Sequence, residues 1–323
     1  MGAALAVVGL AAGLRAQEQR PSFRSGVDLV NVNVTVTNRK GDFVTTLNRD
    51  DFEIYEDGRK QAIRYFLAGG NRLSIESGPP AELHLGVLLD ISGSMEGDIG
   101  QAQTAAVKFL TALGDADDIT LVDFDTEVRI ARYDESNFPR LIERIRSRKP
   151  EGNTALYDAL GVYLDNASAE RGRKILVLYT DGGDNQSNIT YADLRKLLRA
   201  SDVTVYTIGF FAHVSTSARA PLQMTLQEIA EITGGQFFDP TSMKELEASY
   251  EKVKAEISAQ YAIGYLSTNQ RSDGSWRKFD IRIVRPERKD LRLRSRKGYF
   301  APYREGGDGD VPAGRTSRGG SRR

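Results

Sequence analysis

The sequence predicts an α/β protein: a doubly wound, mostly parallel sheet inserted into a small β-sandwich that the N- and C-terminal flanks of the chain build together. Between residues 83 and 240, short continuous apolar runs alternate with segments of helical spacing, as expected of strands covered on both faces by crossover helices. Before and after that region the apolar residues recur at period two instead, the pattern of half-buried strands. Each flank is too short for a core of its own, so the two are expected to share one.

The elements follow in order. Val27 to Thr37, VDLVNVNVTVT, alternates and is rich in β-branched residues, so it reads as a strand; Asn38 to Asp42 is turn material. Asp51 to Tyr55 alternates again, Glu56-Asp57-Gly58 signals a tight turn, and Ala62 to Leu67 is another short strand. Residues 25–70 are thus an N-terminal β module, and Gly69 to Ala81, with its Gly and Pro, is a linker. In the α/β region, 83–240, buried strands are expected at Leu85–Leu89, Ile119–Phe124, Lys174–Thr180 and Val203–Gly209, with a short extended piece at Gln236–Phe238. Helices are expected at Gly100–Leu113, Leu141–Arg148, Ala155–Ala167, Tyr191–Ala200 and Leu226–Thr233, the last stopped by Gly234-Gly235. The segment 241–303 reads as a charged helix, Ser242–Ser258, and a second β module. Its strands are Gln260–Leu266, Trp276–Val284 and Leu291–Tyr299, with a hairpin at Ser272-Asp273-Gly274. Residues 304–323, rich in Gly, Ser and Arg, are expected to be a disordered basic tail.

Composition narrows the chemistry. The chain has 323 residues and no Cys, which excludes disulfides, thiolate zinc sites, iron–sulfur clusters and a Cys nucleophile. His84 and His213 are its two His, so a His-rich metal site is excluded as well. The 44 basic and 44 acidic residues cancel only in total: residues 271–323 carry 16 basic and 7 acidic, whereas 83–240 carry 15 and 23. Residues 1–20 contain the apolar run Ala3 to Leu14 followed by Ala16 and polar residues. This signal-like segment points to an extracytoplasmic location, whether periplasm, cell surface or secreted. No later segment is long and apolar enough to span a membrane, so no transmembrane span is expected in the mature chain.

The chemistry is expected where the strands end, because ligands of a doubly wound sheet sit beyond the carboxyl edge. Three loops meet there in sequence terms: Asp90-Ile91-Ser92-Gly93-Ser94-Met95, Gly152-Asn153-Thr154, and Thr180-Asp181-Gly182-Gly183-Asp184. Asp90, Asp181, Ser92, Ser94 and Thr154 present only oxygen, which suits a hard cation such as Mg²⁺ (or Mn²⁺ or Ca²⁺), with coordination positions left for an outside carboxylate. These residues resemble the metal-ion-dependent adhesion site of the von Willebrand factor type A family, Asp-x-Ser-x-Ser with a Thr and an Asp farther on. The resemblance covers about residues 83–240. It implies that Ser92 and Ser94 bind the ion directly, and that Asp90, Thr154 and Asp181 bind directly or through water. The flanking Asp51 to Gly58 and Gln260 to Tyr265 resemble an exported bacterial subfamily described as VWFA-related acidobacterial-type.

Other features have plainer readings. Asp115, Asp117, Asp118, Asp123 and Asp125 lack the spacing of a calcium loop and are expected in solvated loops. Asp184 is expected to hold its loop by accepting backbone N–H bonds. Arg292, Arg294 and Arg296 alternate on an expected strand, which places them on one solvent face, as a contact for an anionic surface would require. The expected function is a non-enzymatic adhesion or protein-binding module whose Mg²⁺ captures an acidic side chain of a protein ligand; no nucleic acid is expected. One alternative is a scaffold in which the metal merely holds the loops. The other, a metal-dependent hydrolase, fits poorly: a haloacid-dehalogenase-type phosphatase needs Asp where Ser92 stands, and Ser94 lacks the Gly-x-Ser-x-Gly elbow.

Overall fold

The computed structural model describes residues 29–68, 82–113, 116–284 and 290–303. The signal-like segment, the 69–81 linker and the basic tail lie outside the described residues. The N-terminal flank supplies β1 (Leu29–Thr37), β2 (Phe52–Glu56), β3 (Arg59–Gln61) and β4 (Ile63–Leu67). The α/β region follows as β5 (Leu83–Asp90), α1 (Ile99–Ala112), β6 (Asp118–Phe124), β7 (Val128–Tyr133), α2 (Phe138–Ser147) and α3 (Leu156–Ala167). It continues through β8 (Arg173–Thr180), α4 (Tyr191–Ala200), β9 (Thr204–Gly209), α5 (Thr216–Thr233), β10 (Phe237–Phe238) and α6 (Met243–Ala259). The chain closes with β11 (Tyr261–Leu266), β12 (Trp276–Ile283), β13 (Arg292–Arg294) and β14 (Gly298–Phe300).

The central sheet has the order β10-β9-β8-β5-β6-β7, parallel throughout except for β7, which runs antiparallel to β6. Leu85, Val87 and Leu89 of β5 face one apolar layer with α1, α2 and α6, while Leu88 faces another with α3, α4 and α5. Gly86 lies on this second face under the ring of Tyr163; a Cβ there would sit 2.3 Å from the ring. Gly86→Ala must therefore displace a buried aromatic residue of α3, and a loss of about 1–3 kcal/mol is expected in urea unfolding.

The two flanks do share one core, as the sequence predicts. One sheet has the order β13-β1-β11-β4 and the other β14-β12-β2-β3, so each draws strands from both ends of the chain. Val32 lies opposite Ile263 and Ile54 opposite Ile281, and Val34, Tyr261 and Phe279 join them in a common apolar cluster. The β2–β3 turn at Asp57-Gly58 takes positive φ at both residues, 46° and 81°, the geometry that closes a two-residue hairpin.

Several expectations are corrected. The single strand expected at Leu291–Tyr299 is two, β13 and β14, in different sheets, because Ser295-Arg296-Lys297 crosses from one layer to the other. Ser272-Asp273-Gly274 does not close a hairpin, since the strands it joins, β11 and β12, also belong to different sheets. α5 begins at Thr216, ten residues before the expected Leu226, and carries Pro221 near its start, where sequence reading takes proline as a breaker. β7 went unpredicted. Only part of the acidic run is solvated: Asp117 is exposed and Asp115 lies outside the described residues, but Asp123 is fully buried against Arg144, Arg148 and Arg129, Asp125 is buried, and Asp118 bonds His84 Nδ1 at 2.6 Å.

Of the three alternating arginines Arg292 is exposed as expected, but the other two turn inward. Arg294 bonds Glu256 and Gln236, and Arg296 donates to the Ser201 and Asn31 carbonyls, so both lie in the junction between sandwich and α/β region instead of on a solvent face. Glu256 of α6 is the centre of that junction, accepting from Thr35 Oγ1 at 2.8 Å, from Tyr206 OH at 2.9 Å and from Arg294. Burial raises the Tyr206 hydroxyl well above its ordinary pKa, and the adjoining Glu256 charge reinforces that shift.

Candidate functional site

The candidate site forms because β5 and β8, neighbours in the sheet, end side by side. Asp90 is the last residue of β5 and is fully buried, while Thr180 is the last of β8. Thr180 Oγ1 donates to Asp90 Oδ2 at 2.6 Å and accepts from Gly182 N at 3.0 Å. Asp90 Oδ1 accepts from Ser92 N at 2.9 Å. Ser92 is buried and Ser94 exposed, and their hydroxyl oxygens lie 3.1 Å apart.

Backbone bonds draw the other loops in. Glu151 N donates to Ile91 O at 2.9 Å and Gly93 N to Gly152 O at 3.1 Å, which lays the loop before α3 along the Ser92 loop. A Cβ at Gly93 would stand 3.3 Å from Gly152 O, so this approach is close. Asn185 fastens the third loop: its side chain accepts from Thr154 N at 2.8 Å while its own N donates to Thr154 O at 3.0 Å. Asp184 accepts from Tyr157 N at 3.3 Å and from Ser187 Oγ at 2.6 Å, satisfying a donor in the first turn of α3. Asp181 is nearly buried and accepts from Gly183 N at 3.1 Å.

The structure therefore links Asp90 to Ser92 and Ser92 to Ser94, laces the Thr154 loop to them through the backbone, and sets Asp181 near enough to act on the Asp90 charge. Sequence reading passed over Thr180 and Asn185. Thr180 could have been found as the polar last residue of a buried strand beside Asp90; Asn185 carries no such signal. His213 also reaches this edge, with Nε2 3.8 Å from Asp98 Oδ1.

Electrostatically the cluster is one-sided. Asp90 is pushed up to about 7, first by burial and further by the charge of Asp181, against hydrogen bonds from Ser92 and Thr180 that pull it down. Among the described residues no Lys or Arg pairs with Asp90 or Asp181, and no group of three His, Asp or Glu converges on a metal-sized point. The donor set nonetheless fits a hard cation. Two buried carboxylates offer negative charge, and the Ser92–Ser94 oxygen separation of 3.1 Å matches the edge of a Mg²⁺ octahedron, about 3.0 Å for bonds of about 2.1 Å.

A doubly wound α/β domain with an oxygen-only cluster at its carboxyl edge has its polar groups where the ligands of Rossmann-like sheets sit. Residues 84–252 match the family model of the von Willebrand factor type A domain, and the chain belongs to that family. Among solved structures it is similar to a von Willebrand factor type A protein from Catenulispora acidiphila, at 14% identity over 79% of this chain and 74% of that one, with a TM-score of 0.48. It is similar also to the vWF domain of the type V pili tip protein Mfa5 from Porphyromonas gingivalis, at 14% identity, 54% and 94% coverage, and a TM-score of 0.45. A third is the pilus adhesin SpaC from Lactobacillus rhamnosus GG in an open conformation, at 12% identity, 80% and 49% coverage, and a TM-score of 0.47. A comparison with curated protein sequences returns no match.

Proposed function

We propose that this chain is a non-enzymatic protein-binding module acting outside the cytoplasm, which holds Mg²⁺ with Asp90, Ser92, Ser94, Thr154 and Asp181 and uses the ion to capture an acidic side chain of a partner. The observation that carries the proposal is the buried Asp90 carboxylate beside Asp181, both without a basic partner among the described residues, at the inner end of a cluster whose outer member, Ser94, is exposed. A cation there supplies the missing charge, and its open side is where an outside carboxylate would complete the coordination sphere. The extracytoplasmic part of the proposal rests on the signal-like Ala3 to Ala16 segment.

The loops are already fastened by backbone bonds from Gly93, Glu151 and Asn185, so an ion is not needed to hold them; this favours capture over a purely scaffolding role. Asp181→Ala is accordingly expected to weaken Mg²⁺ binding at least about tenfold in calorimetry, roughly 1.4 kcal/mol. Chelator-sensitive retention of partners from cell-surface extract is expected to be lost, with the melting temperature of the metal-free protein little changed. Capture that survives while thermal stability falls would show the scaffold instead.

A further inference from the structure

A cavity lies away from the Asp90 cluster, where the sandwich meets the α/β region. Its volume of about 830 Å³ falls within the range of small-ligand sites, roughly 300–1,000 Å³. One wall comes from the ends of α3 and α4, including Asp165, Ser168 and Asp202; the other comes from the sandwich, including Asn31, Asn269 and Phe300. It is remote from Asp90, because Lys174 in its wall stands at the start of β8 whereas the metal cluster stands beyond that strand's end.

The charges of this cleft do not cancel. Buried Lys174 pairs with Asp202 at 2.8 Å, Glu170 bonds Arg132, and buried Arg277 has Glu56 at 3.7 Å. Arg296 is different. It is only 8% exposed, and its described hydrogen bonds go to carbonyl oxygens, Ser201 O at 3.1 Å and Asn31 O at 2.7 Å. Carbonyls satisfy N–H groups but do not neutralise a charge; the Asp202 carboxylate acts on the guanidinium without pairing with it and the Phe279 ring lies 5.8 Å from it, so no described carboxylate bonds Arg296 directly. Burial accordingly lowers the Arg296 pKa. Arg277, also in the lining, is 2% exposed, and its Nε has no hydrogen-bond partner among the described residues. Arg271 is exposed and forms no described ion pair, and the lining carboxylate of Asp165 forms none either.

We propose that this cleft binds an acidic oligosaccharide, with the carboxylate of a uronic-acid-type sugar answering Arg296 and a sugar ring resting on the exposed edge of Phe300. The planar guanidinium fork suits a carboxylate. The rest of the lining suits a sugar better than a peptide. Asn31, Ser168, Asn269 and Gln270 offer donors and acceptors on both walls for ring hydroxyls, and Phe300 supplies one flat apolar surface.

The chain carries its own reporter. Trp276 is its one Trp, and it stacks edge-on against Phe300 with ring centroids 5.0 Å apart. Titrating the full chain with a trimer of α-1,4-linked galacturonic acid is expected to shift Trp276 fluorescence saturably, with a Kd of about 1 mM or tighter. The methyl-esterified trimer is expected to bind at least about tenfold more weakly. Phe300→Ala, which removes an exposed side chain, and Arg296→Lys, which keeps the charge but not the fork, are each expected to weaken the acidic trimer by a similar factor. Where Arg296→Lys disturbs folding, Phe300→Ala followed by calorimetry still decides. Chelator is expected to leave the titration unchanged, so this site stands or falls separately from the metal cluster. No saturable response to the acidic trimer, equal response to its ester, or a response only to a short peptide with a free carboxyl terminus would overturn the proposal.

Discussion

Asp90→Asn is expected to stabilise the metal-free protein above neutral pH and, at the same time, to erase its response to Mg²⁺. In the folded chain Asp90 titrates at about 7 against an ordinary 3.8, so between those values the fold keeps a proton that the unfolded chain has already released. Stability contributed by this group is full below about pH 4, falls as pH rises through the window to about 7, and is flat beyond it. At 1.36 kcal/mol per pH unit the total is at most about 4 kcal/mol. The amide removes the buried negative charge beside Asp181 while keeping an oxygen to accept from Ser92 N, so the variant should lose that dependence. Mg²⁺ has the opposite sign: it competes with the proton, so its stabilisation grows over the same window and reaches about 2.7 kcal/mol at one hundred times its Kd. Urea unfolding from pH 4 to 8, in chelator and in Mg²⁺, checks both parts. Wild-type stability that does not fall with pH in chelator, or a variant that still responds to Mg²⁺, would contradict the assignment of Asp90.

What could be read from the chain follows from what is local in it. Leu85 to Leu89 and Lys174 to Thr180 are apolar on both faces because helices cover both, and that composition shows without any partner in view. Asp90, Ser92 and Ser94 sit in one short stretch at the end of such a strand, so the start of the candidate site was visible in the same way. β7 was not. It is an edge strand with Val128 and Ala131 only partly buried and Ile130 exposed, and its register comes from pairing with β6. The break between β13 and β14 was hidden for a related reason: Arg296 leaves the strand pattern to reach Ser201 and Asn31, 95 and 265 positions away. Asp123, too, is buried by arginines that α2 and β7 bring to it, and nothing beside it in sequence announces them.

At Glu256 such long-range contacts converge from both regions of the chain. Its carboxylate joins β1, β9, β13 and α6 through Thr35, Tyr206 and Arg294, and Gln260 adds a bond of 2.9 Å to Tyr206. Glu256→Ala leaves two buried hydroxyls without their acceptor and Arg294, a third exposed, with Gln236 as its remaining one, and removing one side of such a network costs about 3 kcal/mol. Because these bonds tie the sandwich to the α/β region, the variant is expected both to lose that stability and to unfold in two urea transitions where the wild type shows one. Removing both charges is a different matter: Glu256→Met with Arg294→Met replaces the pair by apolar groups of similar reach and should recover most of the loss. A single transition in Glu256→Ala with a loss below about 1 kcal/mol would show that the apolar contacts alone hold the two regions together. The arginines that look like a solvent strip in the sequence would then be dispensable to the junction, and their burial would need another cause.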